Sequence, residues 1–137
     1  MINQLKHLHW ISILLAFAAY FLLGALWFTL FFGKYYKISL GRAHETLQTK
    51  PIFIIGPAAC TLAITITSAM LINSLNIQTF NEAFKFSVFI GLGFLVANTI
   101  NIAINPNIPK PILYGIISGC YHLVGMVMVS IIIVTMK

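Results

Sequence analysis

Gly24-Ala25-Leu26-Trp27-Phe28, running on through Phe31-Phe32-Gly33-Lys34-Tyr35-Tyr36-Lys37, passes within a few residues from hydrocarbon to aromatic and then cationic character. Aromatic rings followed by lysines mark the place where a helix leaves a bilayer. The rings settle at headgroup level and the ammonium groups reach water. Behind this exit lies an apolar run from Leu8 to Phe32, interrupted only by His9, Ser12 and Thr29. As a helix it is about 37 Å long, enough to cross a ~30 Å hydrocarbon core with some tilt. It is too long for a cleaved signal, and no small-x-small site comes after it before Lys34, so a retained first helix is expected.

Three further apolar runs come next, giving expected spans of about 8–32, 51–75, 83–104 and 111–136 within a single domain, 1–137. Pro51 suits a first helical turn, where its missing N–H is an orphan anyway. Pro57 inside the second span removes a hydrogen bond and predicts a kink. The polar stretch from Gly33 to Lys50 is interrupted at Gly41, and the residues after Ser39 are compatible with a short surface helix or a loop. Asn73 to Asn81 reads as a turn, with Glu82 and Lys85 marking re-entry. Asn105-Pro106-Asn107 and Pro109-Lys110-Pro111 force a tight polar connection.

Composition agrees. Of 137 residues, 60% are hydrophobic and 7% charged, against about a quarter charged in a soluble domain. Mean hydropathy is +0.98. Too few polar groups exist to cover a soluble globule, so lipid must solvate most of the surface. The fold class is therefore all-α: a transmembrane bundle of four antiparallel helices. The net charge of +6 comes from cations scattered at the ends of apolar runs. It fits snorkelling and anionic headgroups, not a nucleic-acid patch. Lys34, Lys37, Arg42, Lys50 and Lys110 fall on one side of the membrane; Lys6, Lys85 and Lys137 fall on the other. That asymmetry favours a cytoplasmic (inner) membrane protein with both termini outside the cytoplasm.

The first-span exit, with Phe32-Gly33-Lys34 and an aromatic at Tyr36, resembles the signature of the domain-of-unknown-function 1761 family. These are small bacterial four-helix membrane proteins. Gly119-Cys120-Tyr121-His122-Leu123 also resembles that family's final helix. Tyr36 departs from the pattern, since members often carry tryptophan there. The resemblance implies membrane topology and supplies no activity.

Chemistry at depth is sparse. Asp, Glu, Lys and Arg are expected only in loops or at helix ends, which leaves His122 as the titratable group deep in a span. Counting ~1.5 Å per residue gathers Trp27, Asn98, Asn101, Ser118 and His122 in one half of the bilayer. A hydrogen-bonded knot fixing helix order ranks first, with Asn98 or a hydroxyl of the second span as the partner of His122. A solute or proton site at Asn98, Asn101 and His122, in a small transporter or channel subunit, is the alternative. Catalysis ranks last, because no nucleophile–base pair or paired carboxylates are visible.

Thr61, Thr65 and Ser68 share one face of the second span and read as backbone-bonding hydroxyls, with a solute path as the lesser reading. Gly115 and Gly119 are spaced for close helix packing, inside the bundle or against a second copy in a homo-oligomer formed through the fourth helix. Cys60 and Cys120 read as small buried hydrophobes. His7-x-His9 is a weak metal motif, since residues two apart on a helix face different ways. No metal or cofactor is expected.

Overall fold

The computed structural model describes residues 8–46 and 50–136. Five helices account for the secondary structure, with no strand among the described residues. Four are long and apolar enough to cross a membrane: α1 (Trp10–Phe31), α3 (Ile52–Ser74), α4 (Phe80–Ala103) and α5 (Pro111–Thr135). The short α2 (Gly33–Ser39) lies between the first two spans. The chain is an all-helical, membrane-embedded protein.

α5 is the centre of the bundle. Half of its apolar window is buried, against 22–28% for the other three spans. It packs on α1 along one side and on α4 along the other, while α3 closes against α1 and α5. The core reflects this order: Ile13, Ala16 and Tyr20 from α1, Ala69 and Ile72 from α3, Ala83 and Phe86 from α4, Met126, Val129 and Ile133 from α5. Elsewhere large side chains point outward, as lipid solvation permits. Ile52, Phe53, Ile54 and Ile55 at the start of α3 are all exposed. Cys60 and Cys120 are exposed too, on the lipid-facing surface, not buried as expected.

The helix ends obey local chemistry that apolar run-lengths do not reveal. α1 is capped by His9, whose Nδ1 accepts from the Ser12 N–H while Ser12 Oγ donates to the His9 carbonyl. His9 is thus a cap; His7 lies outside the described residues. α3 closes in a Schellman turn, with Ile77 N–H donating to Ile72 O and Asn76 N–H to Asn73 O. Asn76 takes the left-handed conformation, φ 54°.

α4 begins at Phe80, three residues ahead of the expected Ala83. The Thr79 hydroxyl accepts from the Glu82 N–H and the Glu82 carboxylate accepts from the Thr79 N–H, forming a capping box. The short helix α2 ends at Ser39, and the residues after it form turns, as the loop reading has it. Gly41, at φ 71°, ends α2 in a second Schellman turn. Its Cα rests against the Pro109 ring, where a Cβ would meet Cγ at 3.0 Å. Pro57 sits inside a continuous α3; its carbonyl accepts from Thr61 Oγ1.

Two stretches depart from α geometry. The last turn of α1, Trp27–Phe31, is π-helical, and so is Gly91–Val96 in the middle of α4. Each accommodates an additional residue and rotates the downstream residues around the helix axis.

Candidate functional site

Along the seam between α1 and α5 a row of rings runs from the interior to one end of the bundle. At its deep end Tyr20, fully buried, shares a hydrogen bond with His122: Oη to Nδ1 is 2.6 Å. The Tyr20 ring lies on Gly125, where any Cβ would overlap it. Gly125 therefore makes the room that lets Tyr20 reach His122. Tyr121 is next in the row, its ring centroid 5.2 Å from Tyr20 and 5.1 Å from Phe28. Its hydroxyl lies over Gly24, where a Cβ would come within 2.8 Å of it.

Phe28 meets Tyr36 of α2 at 4.8 Å, and Tyr36 meets Tyr114 at the start of α5 at 5.7 Å. Burial pushes the Tyr36 phenol up to about 12, with the Tyr114 phenol adding to the shift. Tyr36 is therefore a neutral packing group at physiological pH.

Trp27 opens the π turn of α1. Its indole Nε1–H donates to the Ile117 carbonyl of α5 at 3.0 Å, and its ring packs at a tilt against Phe32, centroids 4.6 Å apart. The widened turn carries the Phe32 N–H back to the Trp27 carbonyl at 2.8 Å. Gly33 then passes under the Phe28 carbonyl, where a Cβ would sit at 3.1 Å. The sequence stretch that marks the bilayer exit thus also ties α1 to α5.

Of the residues singled out from sequence, Trp27 and His122 both join this seam. Ser118, one turn from His122, is buried, and its hydroxyl has no hydrogen-bond partner among the described residues. Asn98 and Asn101 stand apart: both are exposed on the outer face of α4. His122 therefore bonds Tyr20, not Asn98. Gly115 and Gly119 face α4 within the same chain, Gly115 toward Ile100 and Ala103, Gly119 toward Val96.

The three hydroxyls of α3 are buried and each is satisfied by its own helix. Thr61 donates to Pro57 O, Thr65 to Thr61 O and Ser68 to Ile64 O, at 2.7–2.9 Å. Ser68 also meets Met126 Sδ at 3.5 Å.

Sequence reasoning passes over Tyr20 and Gly125. The available signal is Gly125 three residues beyond His122, on the same side of α5. Two shallow, open recesses of the surface lie away from the Tyr20–His122 pair. One, about 440 Å³, runs along α4 past Phe84, Lys85, Phe89 and Gly93. The other, about 360 Å³, lies between the end of α1 and α2, beside Thr29, Lys34 and Lys37.

A family model described as a protein of unknown function (DUF1761) matches residues 11–134. No match was found among curated proteins or among solved structures.

Proposed function

Since the chain belongs to the DUF1761 family, whose description names no activity, we propose that it is a structural or accessory protein of the bacterial inner membrane. In this reading its polar interior serves to fix helix order. The observation that carries the proposal is the Tyr20–His122 hydrogen bond of 2.6 Å. It joins α1 to α5 through a tyrosine with no exposed surface, and neither of the two shallow recesses is lined by Tyr20 or His122. Polar pairs of this kind act as glue between spans, because the alternative is an unsatisfied group in hydrocarbon. The cation asymmetry between connections supports placing both termini outside the cytoplasm.

A small transporter or channel subunit is the alternative. It is favoured by Ser118, whose buried hydroxyl lacks a partner among the described residues, one turn from His122. Three variants separate the readings in liposomes at pH 6 and pH 8: His122→Leu, His122→Gln and Tyr20→Phe. As glue, His122→Leu and Tyr20→Phe each lose about 1–3 kcal/mol of stability through the stranded partner. His122→Gln recovers part of that loss, and proton flux equals that of empty liposomes throughout. Flux above that background, lost in a stably folded His122→Gln protein, overturns the structural reading and promotes the transporter.

A further inference from the structure

We propose that the outer face of α4 is the contact between two copies of this chain. In this pairing a two-fold axis along the membrane normal sets Asn98 of one copy against Asn98 of the other. The inference uses the membrane-spanning reading of α4 and does not depend on whether Tyr20–His122 is glue or pathway.

α4 packs in the bundle chiefly on α5, leaving its opposite side open. On that open side Asn98 and Asn101 are both exposed, and among the described residues neither carboxamide side chain makes a hydrogen bond. Asn98 lies five residues before the end of α4, about 8 Å along the axis. Asn101 is close enough to the helix end to reach headgroups. Asn98 is not: snorkelling needs a long flexible stem, and an asparagine side chain has none. A carboxamide facing acyl chains forfeits its hydrogen bonds, and polar side chains in spans almost always turn to protein instead.

The outward direction of these amides comes from the π segment. The buried face of α4 starts at Ala83, Phe86 and Ser87. Continued at 3.6 residues per turn, it would reach positions 90, 94, 97, 98 and 101. After the π segment begins, the buried residues are instead Gly91, Thr99 and Ala103. The extra residue turns the asparagine edge out of the bundle, and such insertions are frequent at functional sites.

A second copy is the occupant that this chemistry fits. A carboxamide is donor and acceptor at once, so it is its own complement. A two-fold axis normal to the membrane brings the same residue to the same depth in both copies, and the contact is isologous. Lipid tails offer no hydrogen bond, and any other protein would need its own polar group at that depth. The same face permits close approach: a Cβ at Gly93 would meet nothing within 4 Å, and Ala97 is exposed one turn further on. The recess beside Gly93 is walled by Phe84, Val88, Phe89 and Leu92. It offers a seat for an apolar side chain of the second copy, and Phe89, 75% exposed, is available to fill it.

The test starts from the full chain with Cys60→Ala and Cys120→Ala, reconstituted in liposomes. Single cysteines are introduced as Ala97→Cys on the proposed face or as Ile116→Cys, an exposed position on α5 at similar depth. Oxidation should give a band of twice the chain mass for Ala97→Cys and none for Ile116→Cys. In mild detergent, light scattering should report two copies. Asn98→Leu, which adds only lipid-facing surface, should keep its helical circular dichroism and raise the dimer dissociation constant about tenfold. Asn98→Gln should fall between. Equal cross-linking at both cysteines, a monomer without the Ala97 cross-link, an adduct of another mass, or an Asn98→Leu dimer as tight as the parent would overturn the proposal.

Discussion

Replacing the glycines of α5 by alanine probes how the central helix holds its neighbours. At Gly115 a Cβ would find Ile100 Cγ1 at 3.4 Å, and at Gly119 it would find Val96 Cγ1 at 3.2 Å. At Gly125 it would overlap the edge of the Tyr20 ring and approach Cζ to 2.8 Å. All three positions lie inside α5, so alanine contributes about the same helix-propensity gain at each, ~1 kcal/mol. At Gly115 the methyl makes ordinary contact and the gain stands, so Gly115→Ala should be as stable as the parent or slightly more. At Gly119 the valine must yield by a few tenths of an ångström, which offsets most of the gain.

Gly125→Ala has no such relief, because Tyr20 is fully buried. Displacing the ring costs ~1–3 kcal/mol as overpacking. Separating Tyr20 Oη from His122 Nδ1 strands the buried phenol and the half-buried imidazole at roughly another 1–3 kcal/mol. After the propensity gain, the net loss centres on about 3 kcal/mol. The assay is unfolding in detergent by denaturant titration, monitored by far-UV circular dichroism, for each variant in the parent and in a Tyr20→Leu background. Without the ring, the cost of Gly125→Ala should largely vanish, a strong departure from additivity. Equal stability of Gly115→Ala and Gly125→Ala, or a Gly125→Ala penalty that persists in the Tyr20→Leu background, would refute the reasoning.

The turns and the charge pattern carry two more expected outcomes. Asn76→Ala should destabilise by about 1 kcal/mol and Asn76→Gly should be neutral in thermal unfolding, because the Schellman turn after α3 needs φ 54° there. With the native cysteines removed, a membrane-impermeant thiol reagent applied outside should modify Gln78→Cys and spare Ala43→Cys, both at exposed positions. The reverse pattern inverts the orientation, and labelling of both breaks the four-span topology.

The four spans are legible because a bilayer of fixed thickness imposes a length and an apolarity that can be counted along the chain. Their ends are less so. The start of α4 depends on Thr79 and Glu82 exchanging hydrogen bonds, a signal that lies in the polar turn and not in the apolar run. The short helix between the first two spans ends at Ser39 and does not start there, because Gly41 acts as a stop for the residues that precede it. Within the seam, Trp27 and His122 are visible as polar groups among apolar neighbours. Tyr20 is hidden, since a ring in a hydrocarbon run counts as apolar until its hydroxyl is known to be buried. Gly125 is hidden for a related reason. Its role is to leave space for one ring, and no periodicity records that.

Asn98 and Asn101 show a different limit, one of phase. A constant 3.6-residue period places them on the face begun by Ala83 and Phe86, where they would meet α5 and could approach His122. The π segment at Gly91–Val96 breaks that period, and Thr99 takes the buried position instead. Thr99 spends its hydroxyl on the Leu95 carbonyl at 2.7 Å, so it needs nothing from α5. The consequence is a division of labour along one membrane leaflet. Among the described residues, the inter-span hydrogen bonds with nitrogen and oxygen partners run between α1 and α5, through Tyr20, His122 and Trp27, with the weaker Ser68–Met126 contact tying α3 to α5. The carboxamides, which can satisfy a copy of themselves, are turned to the outside. A helix whose period were restored by deleting one residue between Gly91 and Val96 would bring Asn98 back toward α5. There it would compete with the apolar contacts that Val96 makes on Gly119. The π segment thus settles two matters at once: what α5 touches, and what the bundle offers to its surroundings.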